Sequence, residues 1–176
     1  TLNLGLNVQM LTLNNHRTLE PRVGLKWQAT SKSSFALAYG LHSRMEKMDV
    51  YYTQTPQTGD KLVNKKLDFT KANHFMLTFD YKLSDELILK IEPYFQALFD
   101  VPVRANDSYS VLNREEFYVE DALVNKGKGR NMGVDFTLEK YLNRGYYYLF
   151  TGSLFDSRYY GGDKVWHSTK FNRNFI

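Results

Sequence analysis

The sequence predicts an all-β fold, an up-and-down run of antiparallel strands of the kind that cross a membrane as a β-barrel. Three observations carry this expectation. Apolar and polar side chains alternate with a period of two over stretches of about ten residues, longer than most soluble strands. Aromatics are abundant, with 13 Tyr and 12 Phe in 176 residues, yet charge is spread along the whole chain and mean hydropathy is low. Long and short polar links alternate between the periodic stretches.

The first stretch runs near 1–13, where Leu4, Leu6, Val8 and Met10 alternate with Gly5, Asn7 and Gln9. The second, near 21–30, sets Val23, Leu25 and Trp27 against Arg22, Gly24, Lys26 and Gln28. In the third, near 33–45, Phe35, Leu37, Tyr39 and Leu41 alternate with Ala36, Ala38, Gly40 and His42. The fourth, near 71–82, opposes Phe75, Leu77, Phe79 and Tyr81 to His74, Met76, Thr78, Asp80 and Lys82. The fifth, near 86–99, places Leu89, Ile91, Pro93 and Phe95 opposite Lys90, Glu92, Tyr94 and Gln96. In the sixth, near 130–142, Met132, Val134, Phe136 and Leu138 oppose Gly133, Asp135, Thr137 and Glu139. Two more strands, near 145–157 and 168–176, bring the expected number to eight. A strand apolar on one face and polar on the other suits lipid outside and water or a plug inside.

The links orient the run. Thr30-Ser31-Lys32-Ser33, Leu83-Ser84-Asp85-Glu86 and Asn143-Arg144-Gly145 read as tight polar turns. Longer links fall near 14–20, 46–70, 100–129 and 158–167. Short turns at one end and long loops at the other are the pattern of outer-membrane barrels, which puts Thr1 and Ile176 on the periplasmic side. Trp27, Tyr39, Tyr81, Tyr141 and the Tyr146-Tyr147-Tyr148 run are placed for interfacial girdles. A soluble β-sandwich that binds glycan or protein can show the same alternation; the loop pattern favours the barrel.

Composition narrows the function classes. No apolar run approaches the roughly 18 residues of a membrane-crossing helix. There is no Cys, so disulfides and Cys-based metal sites are excluded. The net charge of +4 is mild and its Lys and Arg are scattered, an arrangement that argues against nucleic acid as a partner. The chain opens at Thr1 with neither an initiator Met nor a basic–apolar leader, so residues 1–176 are expected to be one domain of a longer or processed protein.

Several segments add a likeness. In order they are Leu19-Glu20-Pro21-Arg22-Val23-Gly24-Leu25, Ala38-Tyr39-Gly40-Leu41-His42-Ser43, Ala72-Asn73-His74-Phe75 and Tyr81-Lys82-Leu83. Then come Ile91 to Leu98 with Val101-Pro102-Val103, Leu138-Glu139-Lys140-Tyr141-Leu142, and Thr151 to Tyr159. In this order and spacing the chain resembles, from about residue 19 onward, the C-terminal barrel half of TonB-dependent receptors of the Bacteroidetes type. That resemblance implies a barrel of about 22 strands with an N-terminal plug. It also implies a place in the bacterial outer membrane, among lipid and lipopolysaccharide. The activity implied is TonB-powered uptake of a small nutrient such as an iron chelate, a cobalamin or a glycan. The chain has neither plug nor TonB-contacting segment and too few strands to close such a barrel, so the resemblance implies a fragment. A small structural or adhesive barrel of eight strands stays open beside it.

Candidate sites follow from the pattern. Asp80, Glu92, Tyr94, Gln96 and Asp135 are expected to face the lumen, together with Glu139, as a wet barrel wall. Tyr51, Tyr52, Arg104, Tyr109 and Arg114 in the long loops, and Trp166 in the last, are aromatic or cationic groups suited to gripping a polar ligand. His16, His42, His74 and His167 lack local metal-ligand spacing, and no cofactor is expected. His42-Ser43 and His167-Ser168 are sequence neighbours whose side chains point to opposite faces of a strand, so no enzyme is expected. Asn125-Lys126-Gly127-Lys128-Gly129-Arg130 lacks the phosphate-loop frame and reads as a flexible basic loop tip, near enough to a membrane surface to meet lipopolysaccharide phosphates.

Overall fold

Eight strands form one antiparallel sheet in chain order, each bonded only to its neighbours in sequence. They are β1 (Leu2–Leu11), β2 (His16–Gln28), β3 (Ser33–Arg44), β4 (Thr70–Lys82), β5 (Leu87–Arg104), β6 (Leu123–Asn143), β7 (Tyr146–Tyr160) and β8 (Trp166–Ser168). This computed structural model describes residues 1–56, 59, 61–114, 118–143 and 145–176. The all-β reading stands; the sheet is open, with β1 and β8 as its edges. Among the described residues, no helix is long and apolar enough to cross a membrane. The helical content is one turn, α1 (Met48–Tyr51), and a 3-10 turn at Val111–Asn113.

The strand register carries the period of two across the whole sheet. Leu4 pairs with Val23, Val23 with Tyr39, Tyr39 with Phe75, Phe75 with Phe95, and Phe95 with Met132. A second apolar row joins Trp27, Phe35, Phe79, Ile91 and Phe136. Rings along these rows touch: Phe35 lies 4.9 Å from Phe79, and Tyr39 lies 5.0 Å from Phe75. Such cross-strand pairs are the unit of sheet stabilisation. Between the rows, polar residues occupy the opposite face.

Exposure is inverted relative to a water-soluble protein. Leu4 and Leu6 are 75% and 66% exposed, while Glu20 on the other face is 1% exposed. Thr18, Ser34 and Thr78 are buried with Glu20; Leu2, Val8, Leu25, Trp27 and Leu37 are exposed with Leu4. The polar face is the concave one, and among the described residues no second layer covers the apolar face.

Glu20 shows why a charge sits in that interior. The β2–β3 ladder runs from Gln28↔Ser34 to Arg22↔Gly40 and goes no further. Beyond it the Ser43 backbone N–H has no strand partner and donates instead to Glu20 Oε1 at 3.0 Å. The same carboxylate accepts from Asn7 Nδ2, Gln9 Nε2, Arg22 Nη2 and the Ser43 hydroxyl. One side chain thereby closes a gap in the ladder and satisfies donors from three strands.

The strand ends differ from the sequence reading in four places. The link expected at 14–20 is a four-residue turn, because Asn15 takes a left-handed conformation (φ 62°) and Asn14 Oδ1 accepts from the His16 N–H. Strands β5 and β6 run past their expected ends and pair as a ribbon, Val103 with Val124 and Arg104 with Leu123. A bulge at Asp100 (φ 54°) lets the ribbon turn. The basic tip expected at Asn125–Arg130 is therefore strand, not loop. At the far edge β8 spans three residues, and the tail returns to β7, where Ile176 exchanges backbone bonds with Ser153. Ile176 thus ends at mid-sheet. Of the turn expected at 143–145, Arg144 lies outside the described residues.

Glu20→Ala is expected to cost about 1–3 kcal/mol, because it leaves a buried backbone N–H and several side-chain donors without an acceptor. Denaturant unfolding in detergent micelles measures it, and Glu20→Gln should recover part of the loss.

Candidate functional site

The concave polar face forms a trough whose cavity, about 970 Å³, reaches from Asn3 and Gly5 on β1 to Ser153 and Ser157 on β7. Of the residues expected to face a lumen, Glu92, Tyr94, Gln96 and Asp135 line this cavity. Asp80 lines a second cavity of about 510 Å³ near the short turns, with Glu139, Lys26, Lys82 and Lys90. All five share the polar face, and each is tied to its wall. Glu92 accepts from Thr78 Oγ1 at 3.1 Å and pairs with Lys90 at 2.9 Å. Gln96 Oε1 accepts from Asn131 Nδ2, Asp135 from Ser153 Oγ at 2.6 Å, and Asp80 from Ser34 Oγ at 3.0 Å. Tyr94 projects over Gly133, where a Cβ would lie 2.7 Å from its hydroxyl; the missing side chain makes room for the ring. A trough of bonded carboxylates, amides and hydroxyls offers many weak contacts to a polar solute.

Two histidines separated in sequence meet here. The rings of His42 and His74 are 4.6 Å apart, and both line the larger cavity. The other two serve elsewhere: His16 faces Asp68 at 2.9 Å, and His167 faces Asp163 at 2.8 Å. Among the described residues, no three His, Asp or Glu gather in a metal-binding arrangement.

Above the trough the long loops fold together into a cap. Its core consists of Leu11, Val50, Tyr51, Leu67, Phe69, Val101, Val111, Val119 and Leu123, with Leu13, Leu98, Tyr109 and Leu112 packed against it. Apolar burial is concentrated here, in loop segments and strand ends. Polar side chains stitch the parts. Asn64, buried, donates to the Asp121 carbonyl and accepts from the Leu123 N–H at 2.8 Å. Asn125 accepts from the Asp68 N–H and donates to the Asp100 carbonyl. Asn14 donates to the carbonyls of Lys65 and Leu67. Asp68 receives Lys71 at 3.0 Å as well as His16. Burial raises the Asp68 pKa, but the Phe69 N–H, Lys71 and His16 outweigh it and hold the carboxyl below its ordinary value.

The loop residues expected to grip a ligand are mostly occupied within this cap. Tyr51 is a correction: it is fully buried, and its hydroxyl accepts from the Glu46 N–H. Its chemistry is packing, because α1 turns its ring into the core. Arg104 is held by Asp107 at 2.8 Å and by Asp121, and lies over the Tyr109 ring. Arg114 pairs with Asp49 at 2.9 Å. Tyr52 and Trp166 stay exposed, Tyr52 on the cap and Trp166 at the sheet edge. Glu20, Asn64 and Asp68 were not singled out as site residues by sequence, and Asn125 only as the start of a basic loop tip; for the three Asx residues a broken strand pattern is the visible signal, and Glu20 has none.

No family model matches the chain, and no curated protein matches it significantly.

Two outcomes follow for the cap. A methyl group at Gly127 would lie 2.3 Å from Val103 Cγ1 and 2.9 Å from the Val101 carbonyl oxygen. Gly127→Ala is therefore expected to cost about 1–3 kcal/mol, read from thermal unfolding. For Asp68, a depressed folded pKa means stabilisation that is full above the ordinary carboxylate range and lost as pH falls through the folded value. The Tm gap between the native chain and Asp68→Asn should stay constant near neutrality and close in acid.

Proposed function

We propose that this chain is part of the wall of an outer-membrane β-barrel that serves as a receptor and transporter for a small polar nutrient. The inverted exposure carries the reading. A sheet whose apolar side chains point away from the polar trough, with no covering layer, is matched by hydrocarbon as its solvent. Lipid offers no hydrogen-bond partner to the backbone, and the strands pair consecutively, with Glu20 serving the Ser43 N–H where the β2–β3 ladder stops. Further strands on those edges, a plug in the trough and TonB as energy source complete the receptor that the sequence resembles. The cap and trough together resemble an extracellular gate over a polar path. The nutrient classes are those of the resemblance: an iron chelate, a cobalamin or a glycan.

One observation favours a second reading, a small barrel of eight strands. Asn3 and Gly5 of β1 line the same cavity as Phe171 and Ile176 from the opposite end of the sheet. In that reading the two edges, unpaired here, would close on one another without further strands.

The native chain has no cysteine, which makes a labelling test clean. Single cysteines placed at Leu4, Gly5, Leu6, Asn7 and Val8 should alternate in membranes. The Gly5 and Asn7 positions are expected to react with a water-soluble maleimide, and the Leu4, Leu6 and Val8 positions with a lipid-soluble one only. Equal aqueous reactivity at all five would overturn the membrane reading.

A further inference from the structure

At the cap-side margin of the apolar face the sheet carries a knot of positive charge, Lys128, Arg130 and Arg158, with Asp156 as its one neighbouring carboxylate among the described residues. The register places Arg130 directly opposite Arg158, and Lys128 directly opposite Tyr160. These positions share the face of Val134 and Leu154, one rank beyond Met132 and Asp156. Like charges facing each other across a ladder are destabilising, so this pair needs a counter-charge. The carboxylate at hand is Asp156, which already binds Arg158 Nε at 3.0 Å and Asn172 Nδ2 at 3.1 Å. Among the described residues, Lys128 and Arg130 have no salt-bridge partner, and Arg130 Nε is buried without an acceptor. The two cations rest on aromatic rings: Lys128 Nζ is 6.0 Å from the Tyr160 centroid, and Arg130 Cζ is 5.1 Å from that of Trp166. Tyr160 and Trp166 touch each other at 5.5 Å and extend the apolar surface outward.

We propose that Lys128, Arg130 and Arg158 bind the phosphate of an anionic lipid headgroup, one with no cation of its own, whose acyl chains lie along the apolar face below. The inference rests on the membrane reading above and names a partner for one part of that surface. A phosphate supplies several acceptor oxygens to groups that now lack them, and guanidinium meets it in paired hydrogen bonds. It also cancels the Arg130–Arg158 repulsion. Leu154, Met132 and Val134 continue directly from the cations, so one amphiphile satisfies both. Trp166 and Tyr160 flank the headgroup, where rings with one dry and one wet side belong.

Trp166 reports the site. The chain has two Trp, so Trp27→Phe leaves it as the single indole. This variant, in dodecyl maltoside micelles, which carry no phosphate, is titrated in turn with dihexanoyl phosphatidic acid, dihexanoyl phosphatidylcholine and inorganic phosphate. The expected result is a saturable change in Trp166 emission with phosphatidic acid alone. Half-saturation should rise by about tenfold or more in Arg130→Gln and in Lys128→Gln, and less in Arg130→Lys, which keeps the charge. Arg158→Gln gives a third, independent loss. An equal response to phosphatidylcholine, or no weakening in any variant, would overturn the proposal. Equal affinity for inorganic phosphate would assign a free-anion site and overturn the lipid assignment. A chain that stays outside the micelles, seen before any lipid is added, would instead mark failure of the membrane reading itself.

Discussion

Everything in this structure depends on backbone pairing in a sheet whose apolar side, among the described residues, has no protein cover. Each strand bonds to its chain neighbours, and side chains then fall on two faces of opposite polarity. The trough holds Glu20, Asp80, Glu92 and Asp135 because the concave face is where donors from neighbouring strands converge on them. Where the ladder fails, a side chain replaces it. Glu20 takes over from the missing β2–β3 bonds and anchors the Ser43 amide, so a charged residue is the most buried part of that wall. In a water-soluble sheet the same inversion would leave Leu2, Leu4, Leu6 and Val8 facing water at a steep cost in apolar exposure.

The cap obeys the ordinary rule, with apolar side chains inside. Val50, Tyr51, Phe69, Val101 and Val111 make a core, and Asn64, Asn125 and Asn14 supply the hydrogen bonds that irregular backbone cannot make for itself. Two burial patterns therefore meet within one chain, apolar side chains outward on the sheet and inward in the cap. The β5–β6 ribbon crosses between them, and the bulge at Asp100 with the bare Gly127 lets it turn as it does so. Tyr52 remains outward for contact, while Arg104 and Arg114 hold the surface in shape.

Much of the sheet was legible in the sequence because a period of two survives wherever one face meets a uniform solvent. Leu4 to Met10 and Phe75 to Tyr81 announce their strands without help. The polar face was legible for the same reason, and Glu92, Tyr94 and Gln96 fall together on it. The signal fails where strands leave that regime. Residues 123–129 carry Asn, Lys and Gly in place of alternating apolars, because there the ribbon packs against loops and needs close approach. Residues 16–20 were read as a loop since Asn14 and Asn15 mark a turn without marking its length. Tyr51 could not be told from an exposed Tyr52 by pattern, as one turn of helix decides which ring is buried. The meeting of His42 and His74 was hidden because the long loop between β3 and β4 conceals their register.

The claim that matters most is that the apolar face lies in lipid, and fractionation of the native source addresses it directly. An antibody raised to this segment would follow the protein through membrane isolation and alkaline washing. The account expects a band that stays with the outer-membrane fraction. A mass several times 20.6 kDa there would mark a receptor, and a band near 20.6 kDa the small closed barrel. A band found in the soluble fraction alone would contradict the account, since the apolar face would then need a protein cover in place of a bilayer.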